Sequence, residues 1–372
     1  MRRIDGAGDR GVSCRRGPAG LAAAIAVRKK GFRVTVADGE KPPIDKACGE
    51  GLLPGTLAGL RELGVTIHAA EGQIFRGIRF IDETTTAEAS FSRENGIGVR
   101  RTLLHKKMVE RARDCGVDLL WNTPVTGLSR DGAFLAGRVF PAKWIIGADG
   151  IHSRVRRWCG LDASLRGDVR FAQRRHHRVK PWTDCVEVHW GRKMQAYVTP
   201  LANQETCVVL ISRDPRMRFA GALKKFPKLA ANLSDGQLSS VERGATTAMC
   251  ELARVYCGNV ALLGDASGSV DAITGEGLGL SFRQALALAD ALETGKLEKY
   301  QSVHRRLARR PNVMARLLLL LDRSGPLRRR VLRGLAKDPG VFGRVLALHT
   351  KENSSAFLAE TTVRFGWRLI TA

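Results

Sequence analysis

The sequence lacks the features that would place it at once among secreted, zinc-binding or membrane-spanning proteins. Its eight cysteines include no C-x-x-C pair, so neither a zinc site nor a disulfide framework is indicated. No apolar run approaches the roughly 18 residues that a membrane-spanning helix needs, and the opening residues form no apolar signal region. We therefore expect a cytoplasmic protein with reduced cysteines.

Aromatic and acidic residues are also scarce. Only 6% of the residues are aromatic, and 36 acidic residues accompany 61 basic ones, which gives a net charge of +25. This balance favours nucleic acid, an anionic membrane surface or an anionic ligand as partner, although a genome rich in arginine codons explains it equally well. The excess is densest from Arg305 to Arg333, where ten arginines accompany one acid, Asp322. Because aromatic residues are not interleaved with these arginines and no binding module is visible, a nucleic-acid partner is not expected.

Two glycine-rich stretches near the start compete for the role of a phosphate-binding loop. Residues 6–11 match G-x-G-x-x-G in full, whereas residues 15–20 (RRGPAG) match it only in part. A dinucleotide loop lies between a buried strand and a helix. The chain before residue 6 is polar and basic, and no helix starts at Gly11. We therefore interpret residues 6–11 as a chance match.

The chain after residues 15–20 has the form that a dinucleotide loop requires. A helix of good helix formers is predicted over 21–30, ended by Gly31. A short strand follows over 32–37, and Asp38 closes it. An acid at this position binds a ribose hydroxyl in dinucleotide-binding folds. The spacing thus favours residues 15–20 as the loop.

The upstream side of this loop departs from the pattern. Arg15 and Arg16 stand where glycine is expected, and only residues 12–14 remain of the first strand. An arginine strains the tight turn that the first glycine normally makes. A chain whose nucleotide loop no longer works is therefore kept as an alternative.

Further glycine motifs occur much later in the chain. GADG at 147–150 ends a predicted buried strand, and GDASG at 264–268 follows another. GEGL at 275–278 comes shortly after the second of these. Such motifs at the carboxyl ends of strands are typical of nucleotide-binding α/β folds, because small residues let the backbone approach a ligand closely.

With these three segments in this order, the chain resembles the flavoprotein monooxygenase and geranylgeranyl reductase superfamily of FAD-dependent oxidoreductases. The resemblance covers roughly residues 15–293. It implies an α/β protein with a Rossmann-like FAD-binding domain, an inserted antiparallel β-sheet substrate domain and a C-terminal helical region. The implied ranges are 1–65, 95–160 and 250–295 for the FAD-binding domain, 66–94 and 161–249 for the substrate domain, and 296–372 for the helical region.

The resemblance also implies the cofactor contacts. Amides at the start of the first helix would face the FAD pyrophosphate, and Asp38 would bind the adenosine ribose. Three further contacts with FAD are implied: an arginine at a later helix start, a backbone segment near adenine and an acid near the ribityl chain. Amides of the GEGL stretch would face the flavin pyrimidine edge. The residues so implied are Gly17, Pro18, Ala19, Gly20, Asp38, Arg101, Val125, Asp265, Gly275, Glu276, Gly277 and Leu278.

The segment KACGEGL at 46–52 resembles a signature of the reductase-like branch and should lie beside the isoalloxazine. Within it, Cys48 is either redox-active or a small buried thiol, and Glu50 is either an acid near the flavin or a hydrogen-bond acceptor of the loop. These two are the catalytic candidates. By the same resemblance Asp149 lies between flavin and nicotinamide, or it has a structural role, holding Arg156 and nearby amides.

The histidines show no spacing typical of a metal site or a catalytic triad, so no metal site is predicted. Structural or surface roles are expected for His176, His177, His189 and His304.

The leading functional prediction is an NAD(P)H-dependent monooxygenase that acts on a lipophilic aromatic or polyketide-type substrate. A flavin-dependent reductase of isoprenoid-type C=C bonds is the alternative, favoured by residues 46–52 and by Gly268, where hydroxylases often carry histidine. An inactive relative with a broken FAD loop is a third. The basic helices after residue 296 carry apolar residues that could contact an anionic membrane, cover a lipid-sized pocket or simply pack.

Overall fold

The structure is a computed structural model that describes residues 10–14, 17–161 and 169–349. Within these ranges it contains a mainly parallel sheet flanked by helices and a larger, mainly antiparallel sheet covered by C-terminal helices. This confirms the predicted fold class. The α-helices of the described residues are α1 Pro18–Lys29, α2 Pro54–Leu63, α3 Arg101–Asp114, α4 Arg154–Trp158, α5 Phe219–Leu223, α6 Pro227–Asn232, α7 Gly277–Glu293, α8 Leu297–Arg323, α9 Gly325–Lys337 and α10 Pro339–His349.

The strands of the described residues are short in the first sheet and longer in the second. They are β1 Arg10–Cys14, β2 Arg33–Ala37, β3 Gly51–Leu52, β4 Gln73–Phe75, β5 Gly77–Ile81, β6 Thr86–Ser90, β7 Gly96–Gly98, β8 Asp118–Leu120, β9 Val125–Ser129, β10 Gly132–Leu135, β11 Arg138–Pro141, β12 Trp144–Gly147, β13 Arg170–Arg178, β14 Cys185–Gly191, β15 Met194–Leu201, β16 Glu205–Ser212, β17 Gln237–Leu238, β18 Arg243–Thr247, β19 Tyr256–Cys257 and β20 Val260–Leu262.

The first sheet has the strand order β19-β20-β12-β1-β2-β8. Strand β1 lies inside it and pairs in parallel with β2 and β12, Val12 lying opposite both Thr35 and Ile145. The first strand therefore extends beyond the residues recognised in the sequence. Gly11 lies within β1, and α1 begins only at Pro18, so no helix follows Gly11 directly, as the sequence predicts. Residues 6–9 lie outside the described residues. Arg15 and Arg16 lie outside the described residues.

The second sheet runs β17-β13-β16-β15-β14-β5-β6, and β18 also pairs with β13. The chain after β16 forms α5 and α6, which are followed by β17 and β18. Residues 243–247 (RGATT) are small or β-branched toward their end. Such residues suit a strand, and the edge of β13 supplies backbone partners for them along its length.

Helices α8, α9 and α10 cover one face of the second sheet. Val331 and Phe342 pack with Ala87 of β6 in one core cluster. Pro311 lies inside α8 and is buried there. A proline at such a position removes one helical hydrogen bond. Pro326 and Pro339 stand in first turns, where no hydrogen bond is lost.

Hydropathy along the described helices speaks against a membrane-spanning segment. None of them combines the length and the apolar character that crossing a bilayer requires.

Candidate functional site

The starts of α1 and α7 meet at the short 3₁₀ helix Gly264–Ser267, which follows β20. Gly264 has φ +58°, and a Cβ atom added to it would lie 2.9 Å from Cβ of Ala19 and 3.7 Å from Cβ of Ser281. Its amide donates to Gln284 Oε1 at 3.1 Å. Glycine is required here by both the backbone conformation and the contact. The loop before α1 and the two glycine motifs more than 200 residues later in the chain thus form one site.

The helix starts at this site present backbone amides to open space. Neither Gly17 before α1 nor Glu276 before α7 caps its helix with a side chain. A Cβ added to Gly17, Gly275 or Gly277 would meet no atom within 4 Å. Uncapped N–H groups beside free space are suited to phosphate and other anionic oxygens.

A cation and an acid face the same recess. Burial raises the pKa of Asp265, and the nearby charges of Arg101 and Lys46 lower it, with a net rise above the ordinary value. The Asp265 side chain is nevertheless exposed, so protein atoms surround it while one side stays open. Arg101 is the first residue of α3, and its Nε is buried without a hydrogen-bond partner among the described residues. Such an atom indicates room for a polar ligand group.

Asp38 and Val125 are brought together at one end of the first sheet. Asp38 follows β2 and is 8% exposed, and its Oδ1 accepts from the amide of Glu40 at 3.0 Å. The Asp38 carbonyl accepts from the amide of Thr123 at 2.7 Å, two residues before Val125. The acid and the backbone segment implied for ribose and adenine are therefore neighbours in space.

Glu50 is buried and fixed from two sides. It is 3% exposed, and it adopts φ +59°, an uncommon conformation for a residue other than glycine. Its Oε1 accepts from the Arg101 amide at 3.0 Å, and its Oε2 lies 2.6 Å from His176 Nε2. His176 Nδ1 in turn lies 2.6 Å from Ser240 Oγ. Glu50 is thus an acceptor that joins α3 to the second sheet, and His176 has a carboxylate partner that the sequence did not indicate.

The buried side chains of β13 contact two loops, one that contains Asp45 and one that contains Asp271. Arg170, Arg174 and His176 alternate along the strand and are buried. Arg174 Nη2 donates to both carboxylate oxygens of Asp45, at 2.7 and 2.8 Å. Arg170 forms a buried ion pair with Asp271, just before the GEGL stretch. The alternation in RFAQRRHHR was the available signal, but the doubled RR and HH obscured it.

The thiol candidate Cys48 lies next to Glu50, whose amide donates to Cys48 Sγ at 3.4 Å. The Cys207 thiol, 3.8 Å from the Cys48 carbonyl oxygen, is buried, and burial raises its pKa well above the ordinary value. Cys207, Glu50 and His176 present ligand atoms within 4.8 Å of one another. Arg174 Nη1 lies 2.7 Å from His176 Nδ1. A fixed positive charge there opposes a bound cation, and we assign no metal site.

The contacts of Asp149 support its structural interpretation. Its carboxylate accepts from the amides of Arg154 at 2.6 Å and Val155 at 3.2 Å and from the Ser153 hydroxyl, and so caps α4. Arg156 of α4 donates to the carbonyl of Ala266 at 3.3 Å. The GADG motif therefore braces the turn that carries Asp265.

His304 of α8 lies behind the same turn, with Nε2 2.8 Å from Ser267 Oγ. Burial lowers its pKa from 6.5 to about 4, and Arg305 adds to this. The unfolded chain gains a proton on His304 below about pH 6.5 and the folded one does not, so stability is lost as pH falls from 6.5 toward 4. We expect His304 to lower the free energy of unfolding by about 2 kcal/mol between pH 7 and pH 5. Urea titrations at several pH values measure this loss. In His304→Gln the free energy of unfolding should fall less steeply with decreasing pH than in the wild type.

The exposed His152 provides the matched control for this prediction. His152→Gln makes the same substitution at an exposed position and so controls for the change of side chain itself. Equal pH dependence in the wild type and His304→Gln would show that His304 titrates normally in the folded chain.

The parallel sheet, the two uncapped helix starts and the acid and arginine in the cleft define a protein that binds a dinucleotide cofactor. The chain matches the FAD binding domain family over residues 16–297. It belongs to that family and is an FAD-dependent oxidoreductase. The cleft fits FAD, since Arg101 Nε has no partner among the described residues and the glycines leave space.

Named relatives are similar over most of the chain. A menaquinone reductase of Mycolicibacterium smegmatis is 26% identical, with 82% of each chain covered. Digeranylgeranylglycerophospholipid reductase 1 of Methanococcoides burtonii is 27% identical over 70% of this chain and 69% of its own. Other relatives of similar identity are named monooxygenases or synthases. A flavoprotein/dehydrogenase structure from Cytophaga hutchinsonii has a TM-score of 0.79 at 21% identity, covering 92% of each chain, which shows a shared fold.

Proposed function

We propose that this FAD-dependent oxidoreductase uses NAD(P)H to reduce a C=C bond in a lipophilic substrate of isoprenoid type. The observation that carries the proposal is the loop of residues 46–52, whose Glu50 is buried and bonded to His176 beside the Arg101 helix start. Two relatives aligned over about 70% or more of this chain are named for reducing menaquinone and a digeranylgeranylglycerophospholipid, both lipophilic molecules.

The proposed cofactor contacts follow the geometry of the cleft. The amides of Gly17, Ala19 and Gly20 bind the pyrophosphate, and Pro18, which has no N–H, fixes the first turn of α1. Asp38 binds the adenosine ribose, with the Val125 backbone beside adenine. The open space at Gly17 supports this placement.

The flavin end is proposed to lie between α3 and the start of α7. Arg101 and Asp265 hold the ribityl and pyrophosphate region, since both face the recess. The Gly275 backbone has φ +67° and leads through Glu276 to the amides of Gly277 and Leu278. These amides stabilise negative charge on the pyrimidine edge.

FAD held by these residues would supply hydride transfer between NAD(P)H and the substrate. Reduction of a C=C bond also needs one proton. Glu50 and His176 share a hydrogen bond that can hold that proton, and Ser240, which is half-buried, links His176 toward solvent. Arg174 beside the ring keeps the pair in place. We propose no covalent role for Cys48.

Hydroxylation remains the second candidate. Relatives named as a monooxygenase and as a hydroxyquinolone synthase cover about three quarters of this chain. In that case the same cleft would serve an aromatic or polyketide-type substrate with oxygen as co-substrate. As partners we propose a small lipophilic substrate and an anionic membrane surface, for a protein that works in the cytoplasm. The domain ranges given from the sequence stay a proposal.

The deciding experiment is the visible spectrum of the purified chain, followed by NAD(P)H oxidation with and without oxygen. We expect FAD absorbance that denaturation releases, and oxidation that is coupled to an isoprenoid lipid without oxygen. Oxidation that requires oxygen would favour hydroxylation. A third outcome is a wild-type chain that stays colourless with added FAD and a double variant Arg15→Gly/Arg16→Gly that binds flavin. This outcome would identify an inactive relative with a broken loop.

A further inference from the structure

One face of α8 exposes three large apolar side chains. Val313, Leu317 and Leu320 are 51%, 53% and 49% exposed. Their spacing of four and three residues places them in one row along the helix. The remaining exposed large apolar side chains of the described residues, among them Ile74, Val139 and Trp158, belong to other elements. Isolated exposed residues need no explanation, but a row of three does.

Arginines extend and flank this row. Arg306 and Arg310 continue it toward the helix start, and Arg309 is also exposed. Arg316 beside the row pairs with Glu251. The single acid between residues 305 and 333, Asp322, is buried in an ion pair with Arg213. The face is therefore apolar at its centre and positive around it.

The opposite face of α8 packs toward the candidate site. Ala315 is fully buried and lies in a core cluster with Ile273 and with Trp190 of the second sheet. Ile273 belongs to the short turn that leads to Gly275. The exposed row is therefore one helix diameter from the loop that is proposed to hold the flavin.

We propose that the face of α8 formed by Val313, Leu317, Leu320 and the arginines around them docks on the surface of an anionic lipid bilayer. Apolar side chains enter the acyl boundary while arginine side chains extend to the headgroups. A nucleic acid would leave the apolar row in water. A second copy packed on the same face would place arginines against arginines, which costs energy.

This inference adds to the proposed function the surface from which a lipophilic substrate would reach the protein. Only the nature of the substrate rests on the proposed function. The membrane-binding surface is inferred from exposure and charge alone. Vesicle binding without flavin reduction would contradict the proposed function but not the membrane surface. Flavin reduction without vesicle binding would contradict the membrane surface but not the proposed function.

The test is sedimentation of the full chain with phosphatidylcholine vesicles that contain 0 or 30% phosphatidylglycerol, at low and high salt. We expect binding only to the anionic vesicles, weakened by salt. Arg306→Gln/Arg310→Gln should lower affinity roughly fivefold for each arginine, and Val313→Asn/Leu317→Gln/Leu320→Gln by about tenfold or more. Arg113→Gln/Arg138→Gln, also exposed, and Val139→Asn/Leu238→Gln/Val241→Asn are the matched controls.

Two outcomes would overturn the proposal. The first is equal loss in the α8 variants and their controls, which would indicate a response to net charge alone. The second is a dimer that the apolar variant dissociates, which would make a second copy the occupant.

Discussion

Replacing Arg170 by methionine is expected to lower the free energy of unfolding by about 3–5 kcal/mol. Arg170 and Asp271 are 1% and 0% exposed at their side chains and form a direct ion pair. Removing the guanidinium leaves the Asp271 carboxylate buried and without its counter-ion, which is the costly way to break such a pair. Urea titration of the flavin-free chain measures the loss.

Two variants test whether burial is the cause. Arg61→Met breaks an ion pair with Glu94 whose side chains are 51% and 52% exposed, so a loss below about 1 kcal/mol is expected. Arg170→Met/Asp271→Asn removes the stranded charge and keeps an acceptor for the Ile273 amide. It should recover more than about 1 kcal/mol. If Arg170→Met costs no more than Arg61→Met, the pair does not hold the loop.

Arg101→Gln is expected to weaken FAD binding about 10- to 100-fold, because it removes the charge-assisted hydrogen bond that we propose between Arg101 and the cofactor. The backbone amide that donates to Glu50 remains, so the start of α3 stays in place. Titration of the flavin-free chain with FAD, followed by flavin fluorescence, measures the change.

The neighbouring Arg100 provides the matched control for Arg101. Arg100 precedes α3, and its Nε lies 3.3 Å from Glu205 Oε2. The Arg100 side chain is 29% exposed. Arg100→Gln should change FAD affinity less than about threefold. Equal losses in the two variants would remove Arg101 from the proposed cofactor contacts and assign the effect to the charge of the helix start.

Short-range signals in the sequence were sufficient for the cofactor lobe. The helix after residues 15–20, its end at Gly31 and the acid Asp38 were predicted because each follows from neighbouring residues. The same reasoning rejected residues 6–11, since a glycine pattern without a following helix cannot present amides to a phosphate. The family of the chain followed from these local features and their order.

Long-range pairing could not be predicted in this way. Glu50 and His176 are 126 residues apart, and Arg170 and Asp271 are 101 apart. A strand pattern indicates which side chains share a face, but it does not indicate what that face meets.

The sequence by itself determined the fold class and the cofactor family, because these depend on glycines, acids and periodicity over short stretches. Only the tertiary structure decided that arginines of β13 pair with Asp45 and Asp271 and that Glu50 has a histidine partner. It also decided which face of α8 is covered by the second sheet and which carries an exposed apolar row among arginines. Burial is a property of the assembled chain, and the same amphipathic helix is consistent with either face being covered until its neighbours are in place.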